Sequence, residues 1–217
     1  MRPMIARAPL ALSTGILLCA PLGAGAHPHI FVSTALHMEI SADLLLTAVD
    51  VTWAYDELYT MLLLDELGLD QDYDGKLTPE ELDQLEGYDL NWIPGFEGDL
   101  YLSKDGDALA LGPPESLGVA MEDGQFISRH RRPLVQPVAA QDVLAKAYDP
   151  SFYTGYDLQG GVTLDQGCTA GITAPVIDDA YQELMEAMAK VPADAMDYPQ
   201  VGESFADEIL INCPEGS

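Results

Sequence analysis

The segment Asp70-Gln71-Asp72-Tyr73-Asp74-Gly75-Lys76-Leu77-Thr78-Pro79-Glu80-Glu81 constrains the fold of this chain more than any other. Carboxylates at loop positions 1, 3 and 5 (Asp70, Asp72, Asp74) supply hard oxygen donors from alternate residues. Gly75 at position 6 permits the sharp turn that returns the second half of the loop. Lys76 at position 7 would offer its backbone carbonyl, and Leu77 at position 8 would pack. Thr78 at position 9 would ligate directly or through water, and Glu81 at position 12 would reach back with both carboxylate oxygens. That is the pattern of a calcium-binding EF-hand loop. Thr78-x-x-Glu81 with Pro79 also describes a helix capping box, so the second helix start is expected on either reading. Apolar Leu62-Leu63-Leu64 and Leu82/Leu85 flank the loop, so a helix–loop–helix is expected over about 56–87, with Ca2+ as its ion. No second loop of this pattern follows, which predicts weak binding of a structural calcium.

Charge bears on the same question. The chain of 217 residues carries 9 Lys+Arg against 36 Asp+Glu, a formal net charge of -27. Phosphate backbones and anionic lipid surfaces would repel it, which speaks against nucleic-acid binding and electrostatic membrane docking. Cations are the natural partners, although most of these carboxylates are expected simply to solvate the surface.

The N-terminus reads as an export signal. Met1-Arg2-Pro3 and Arg7 form a basic region, Ala8 to Leu22 an apolar one, and Ala24-Gly25-Ala26 a small-residue cleavage site. Residues 1–26 are therefore expected to be removed, leaving one domain over 27–217 in the periplasm or an equivalent exported compartment. No later apolar run is long enough to span a bilayer, so the product is not expected to be membrane-inserted. Of the three cysteines, Cys168 and Cys213 remain after cleavage. A disulfide between them would close a loop of about 46 residues and contribute roughly 3 to 4 kcal/mol. Free thiols or thiolate ligands are the alternative, without CxxC spacing to support them.

Elsewhere the pattern alternates. Ile30 to Ile40 and Leu44 to Tyr55 read as a hairpin around Ser41-Ala42-Asp43, followed by a helix from Asp56 to about Leu67. Asp99 to Val135 reads as strands turned at Asp105-Gly106 and Asp123-Gly124. Gly160-Gly161 suggests a further hairpin, Asp178 to Val191 a helix with a core-facing apolar stripe, and Phe205 to Cys213 a last strand. The expected fold class is α+β: an antiparallel, sandwich-like β layer with a helix–loop–helix insertion and a C-terminal helix and strand.

Cleavage after Ala26 would expose His27-Pro28-His29, placing an α-amine and two imidazoles together. These are borderline-soft donors suited to Zn2+, Ni2+, Co2+ or copper. A frayed, solvated terminus is the competing reading. Pro28 has no amide N–H, so ligands would have to converge from the fold. His37 and His130 are the other histidines, each read chiefly as a hydrogen-bonded strand residue. The group Tyr148, Phe152, Tyr153 and Tyr156 suggests either a ligand groove or, preferably, packing at a sheet edge. Arg129, Arg131 and Arg132 are expected to pair within the molecule.

His27-Pro28-His29-Ile30-Phe31-Val32, Trp53-Ala54-Tyr55-Asp56-Glu57 and Ala147-Tyr148-Asp149-Pro150-Ser151-Phe152-Tyr153 resemble the ZevA-like family of exported domains of unknown function. The resemblance covers most of the mature chain. It implies a periplasmic component that serves an integral-membrane transporter of the nickel, cobalt or zinc type. By position it places His27 and His29 in the family's leading histidine pair, and Asp56 and Asp149 in acidic segments where they could complete a transition-metal site.

No G-x-S-x-G, H-E-x-x-H, phosphate-binding or dinucleotide-binding loop is present, so no catalytic residues are assigned and an enzyme is not expected. Two alternatives to the transport role remain: a copper-dependent oxidative enzyme using the N-terminal histidine, and an exported calcium-stabilised domain for an unrelated ligand.

Overall fold

The computed structural model of the protein describes residues 28–191 and 198–214. The expected signal segment 1–26 and His27 lie outside the described residues. Strand β1 (Ile30–Ile40) turns every second side chain inward, so Val32, Thr34, Leu36, Met38 and Ile40 are buried. It pairs antiparallel with β2 (Leu45–Tyr55) through the expected hairpin. A bulge opposite Leu46/Ala48 resets the alternation. The turn takes in Leu44 at φ 57°, one residue further than expected.

The acidic excursion follows at once. Helix α1 (Glu57–Leu67) is capped by Asp56, whose side chain accepts from the Tyr59 N–H, and ends at Gly68 in the left-handed conformation. Helix α2 (Pro79–Leu85) begins at Thr78 with Pro79 in its first turn. A 3₁₀ turn (Tyr88–Leu90) leads on to β3 (Leu100–Lys104), β4 (Asp107–Leu109), β5 (Glu115–Glu122) and β6 (Gln125–Ala139). Both Asp-Gly turns form, with Asp105/Gly106 and Asp123/Gly124 all at positive φ, as a two-residue hairpin of this hand requires. Then come β7 (Leu144–Ala147), β8 (Thr154–Leu164), β9 (Thr169–Thr173), α3 (Ile177–Met188), a second 3₁₀ turn (Gly202–Phe205) and β10 (Glu208–Asn212).

Two five-stranded sheets result, ordered β5-β6-β2-β1-β8 and β4-β3-β7-β10-β9. Their inner faces share one apolar core, from Val32, Leu36 and Trp53 on one side to Leu100, Leu102, Ile209 and Ile211 on the other. The class is thus α+β with a sandwich of two sheets, and two expectations need correcting. The layer is not wholly antiparallel: β8 runs parallel to β1, which the long intervening chain permits where a tight turn could not. Gly160-Gly161 makes no hairpin but lies inside β8, where the register against β1 shifts between Ser33 and Ala35. A Cβ at Gly160 would come within 2.8 Å of the Ala35 backbone nitrogen, and Gly161 has φ 87°. The glycine pair therefore serves close strand approach and an irregularity.

The last strand is shorter than expected because Phe205 leaves the sheet to stack on Phe152 at 3.7 Å. Phe152, Leu184 and Val201 form a small second core under α3. Cys168 and Cys213 are joined in a disulfide, one residue beyond the Thr169–Asn212 rung that pairs β9 with β10. No helix of the described residues is long and apolar enough to cross a membrane.

Candidate metal centre

The acidic loop is held at both ends by the fold. Leu69 is buried in the core, which fixes where Asp70 begins. The Asp70 carboxylate then organises the turn from within: Oδ1 accepts from the Asp74 N–H at 3.0 Å and Oδ2 from the Gly75 N–H at 3.2 Å. Asp74 Oδ1 accepts from the Lys76 N–H at 2.9 Å. Gly75 sits at φ 74°, the left-handed region that glycine enters without Cβ strain.

Glu81 closes the other end. Its Oε2 accepts from the Thr78 N–H at 2.8 Å and the Thr78 hydroxyl at 2.9 Å, and its Oε1 accepts from the Asp70 N–H at 3.1 Å. The Thr78 hydroxyl in turn accepts from the Glu81 N–H at 3.3 Å. The capping box thus forms, and the same geometry lays the carboxylate of position 12 against position 1. Hydrogen bonds from the Thr78 backbone, then its hydroxyl, then Asp70 hold the Glu81 carboxyl below the usual carboxylate range.

One carboxylate oxygen each from Asp70, Asp72 and Asp74 lies within 4.8 Å of the others. Two unit negative charges about 4 Å apart repel by about 1 kcal/mol in bulk water and about 4 kcal/mol at the effective dielectric near a protein surface. A cation between them reverses that sign. The donors are all oxygen, which suits calcium better than zinc or copper. The Lys76 carbonyl, Thr78 and Glu81 stand at the remaining ligand positions of the sequence pattern.

The residues expected to hold a transition metal are arranged differently. Both oxygens of Asp56 are engaged by backbone: Oδ1 by the Tyr59 N–H at 2.9 Å and Oδ2 by the Phe31 N–H at 2.8 Å, tying α1 to β1. Asp149 Oδ1 accepts from the Ser151 N–H and hydroxyl, and Oδ2 from the Thr154 N–H, shaping the turn into β8. His29 is exposed at the head of β1, its ring 4.8 Å from that of Tyr153. Among the described residues, His29, Asp56 and Asp149 are not gathered into a three-ligand group. His37 bonds Thr163 through Nδ1 at 3.0 Å and approaches Asp165 at 3.5 Å. The aromatic segment packs at the sheet: Tyr148 stacks on Tyr101, while Phe152 enters the second core. Arg129 pairs with Glu122, and Arg131 with Asp50 and Glu39. Arg132 is buried, donates to the Gly112 and Glu97 carbonyls and lies over the Trp92 ring.

A buried polar layer went unnoticed in the sequence. His130 is fully buried, edge-on to Trp53 at 4.6 Å and Trp92 at 5.8 Å, and burial, with Arg132 second, pushes its imidazole down to about 3. Asp99 accepts from the Tyr156 hydroxyl at 2.8 Å, yet burial lifts its carboxyl to about 7. Asp89 accepts from the Tyr55 hydroxyl at 3.0 Å and is raised by burial as well. Thr34 Oγ1, Asp89 Oδ1, Asp99 Oδ1 and both His130 nitrogens are buried without a hydrogen-bond partner among the described residues. No spacing could reveal this layer, since its members come from β1, β2, β6, β8 and the connection before β3.

No curated protein matches the chain. The profile of a family described as "Protein of unknown function (DUF1007)" matches residues 12–213, nearly the whole chain, and the protein belongs to that family.

Proposed function

We propose that this protein is an exported metal-binding accessory domain with a structural calcium ion in an EF-hand loop, acting in the periplasm on behalf of a membrane transporter for zinc, nickel or cobalt. The observation that carries the calcium reading is the convergence of the Asp70, Asp72 and Asp74 carboxylates within 4.8 Å of one another, in a helix–loop–helix whose position-12 Glu81 faces position 1. An unpaired loop of this kind belongs in the weak class, with a dissociation constant of about 0.1 to 1 mM. Calcium at tenfold over that constant adds about 1.4 kcal/mol to stability, which for a domain of this size raises the melting temperature by about 3 to 6 °C. Stripped wild-type protein should show that rise on calcium titration, and Glu81→Ala should abolish it. A wild-type midpoint indifferent to millimolar calcium would sink the assignment.

The transport role rests on the resemblance to the ZevA-like family together with the histidine pair at the expected mature N-terminus. His29 supports it by standing exposed where β1 begins, so a metal held there with His27 would be accessible to a receiving protein. Elemental analysis of leader-cleaved, untagged protein provides the test. Calcium together with zinc, nickel or cobalt is expected, and only the transition metal should disappear in the His27→Ala/His29→Ala variant. Copper with a type-2 spectroscopic signature would replace delivery by the oxidative reading, and calcium alone would leave a binding domain without a transition-metal role.

A further inference from the structure

Helix α1 is apolar on both sides. Leu63 and Leu64 enter the core, while Leu58, Met61 and Leu62 on the opposite side are 61%, 55% and 57% exposed, and nearby Tyr73 is 78% exposed. Exposed apolar residues scattered singly need no explanation, but this set is contiguous along one helix face and continues into a groove. Met61, Leu64, Leu69, Tyr73 and Met121 line that groove, which has a volume of about 260 Å³ and lies between α1, the acidic loop and the β5–β6 turn. Its rim is acidic, from Glu57 and Asp65. Neither α1 nor α2 contains a Lys or Arg, and Lys76 is the one Lys or Arg between positions 27 and 103.

From this combination we infer that the α1 groove docks a cationic amphipathic segment of a partner protein, one that sets a large apolar side chain into the groove and Lys or Arg against its rim. Charge selects this occupant over the others. A second copy of a chain with net charge -27 would bring one acidic rim against another, and anionic lipid head groups would be repelled in the same way. Two methionines in the wall suit a partner whose apolar residue varies in shape, because an unbranched thioether side chain repacks at little cost. The inference stands apart from the calcium reading, since α1 and the β5–β6 turn form two of the three walls whether or not the loop is filled.

The test uses the whole mature protein at saturating calcium and follows the fluorescence anisotropy of a labelled synthetic Leu/Lys peptide of about 18 residues with its leucines on one helical face. A permuted peptide of identical composition with no apolar face is the comparison. The amphipathic peptide should bind at least about tenfold more tightly than the permuted one, and Met61→Ser/Leu62→Ser should erase most of that difference. Both side chains are exposed, so the variant should keep the wild-type melting temperature. Tyr181→Ser/Met185→Ser, altering exposed apolar residues on α3, should leave binding intact. Equal binding of the two peptides, or full binding by Met61→Ser/Leu62→Ser, overturns the inference. So does concentration-dependent dimerisation, or adsorption to phosphatidylcholine/phosphatidylglycerol vesicles, lost in that same variant while peptide binding persists.

Discussion

Asp99→Asn is expected to gain stability relative to the wild type as pH rises from 4 to 8, by up to about 4 kcal/mol across that range. Burial lifts the Asp99 carboxyl to about 7, against about 3.9 in an unfolded chain. A group whose folded value is raised contributes its full stability below the unfolded value and loses it as pH climbs through the folded one. Between about pH 4 and pH 7 the folded wild type keeps a proton that the unfolded chain releases, so its stability falls as pH rises, while the amide has no proton to release. Asn suits the position in two further respects: it tolerates the left-handed φ of 52° found there, and its carbonyl can still accept from the Tyr156 hydroxyl.

His130 slopes the other way. Its folded value near 3 lies below the ordinary 6.5, so its contribution is intact above pH 6.5 and is lost as pH falls toward 3. That loss reaches up to about 5 kcal/mol. Between about pH 4 and pH 6.5 the two groups oppose each other in the wild type, and each variant unmasks the remaining one. His130→Gln has its own packing cost against Trp53 and Trp92, but that cost does not vary with pH. Chemical denaturation at half-unit steps from pH 4 to 8 reads the difference between each variant and the wild type. Differences that stay flat with pH for both variants would remove the buried-charge account of this layer.

The second large effect concerns the C-terminus. Cys168→Ser/Cys213→Ser should cost about 3 to 4 kcal/mol, since it frees a 45-residue separation whose closure the bridge guarantees in the unfolded chain. The site explains why that closure matters. The bridge sits beside the first β9–β10 rung, and it closes the segment that carries α3 and supplies Leu184 and Val201 to the second core. Wild-type protein treated with reductant should unfold at the same lowered urea midpoint as the double variant, and reductant should not affect the variant. An unshifted midpoint in both would mean that strand pairing alone holds the junction.

Much of the local structure was readable because its causes are local. Asp56 and Thr78 were legible as helix starts, Asp105-Gly106 and Asp123-Gly124 as turns, and alternation along β1 as a half-buried strand, since a cap, a positive φ and a period of two each depend on a few adjacent residues. Partners distant in sequence were not legible. Gly160-Gly161 looked like a turn because nothing nearby records that Ala35 lies against it. Asp56 and Asp149 looked like free acidic ligands because their backbone partners belong to other elements or depend on the fold of the following turn. His130 looked like an ordinary strand histidine because its burial depends on Trp53 from β2 and Trp92 from the connection before β3.

The sequence by itself determined the acidic loop, its flanking helices and the residue types at each position of the loop pattern, since twelve consecutive residues contain that whole pattern. Only the tertiary structure decided that β8 runs parallel to β1, that two sheets share one core and that His130 and Asp99 are buried and Asp89 largely so. Strand order and burial depend on which distant segments exclude water from one another, and that is a property of the packed chain and not of any window along it.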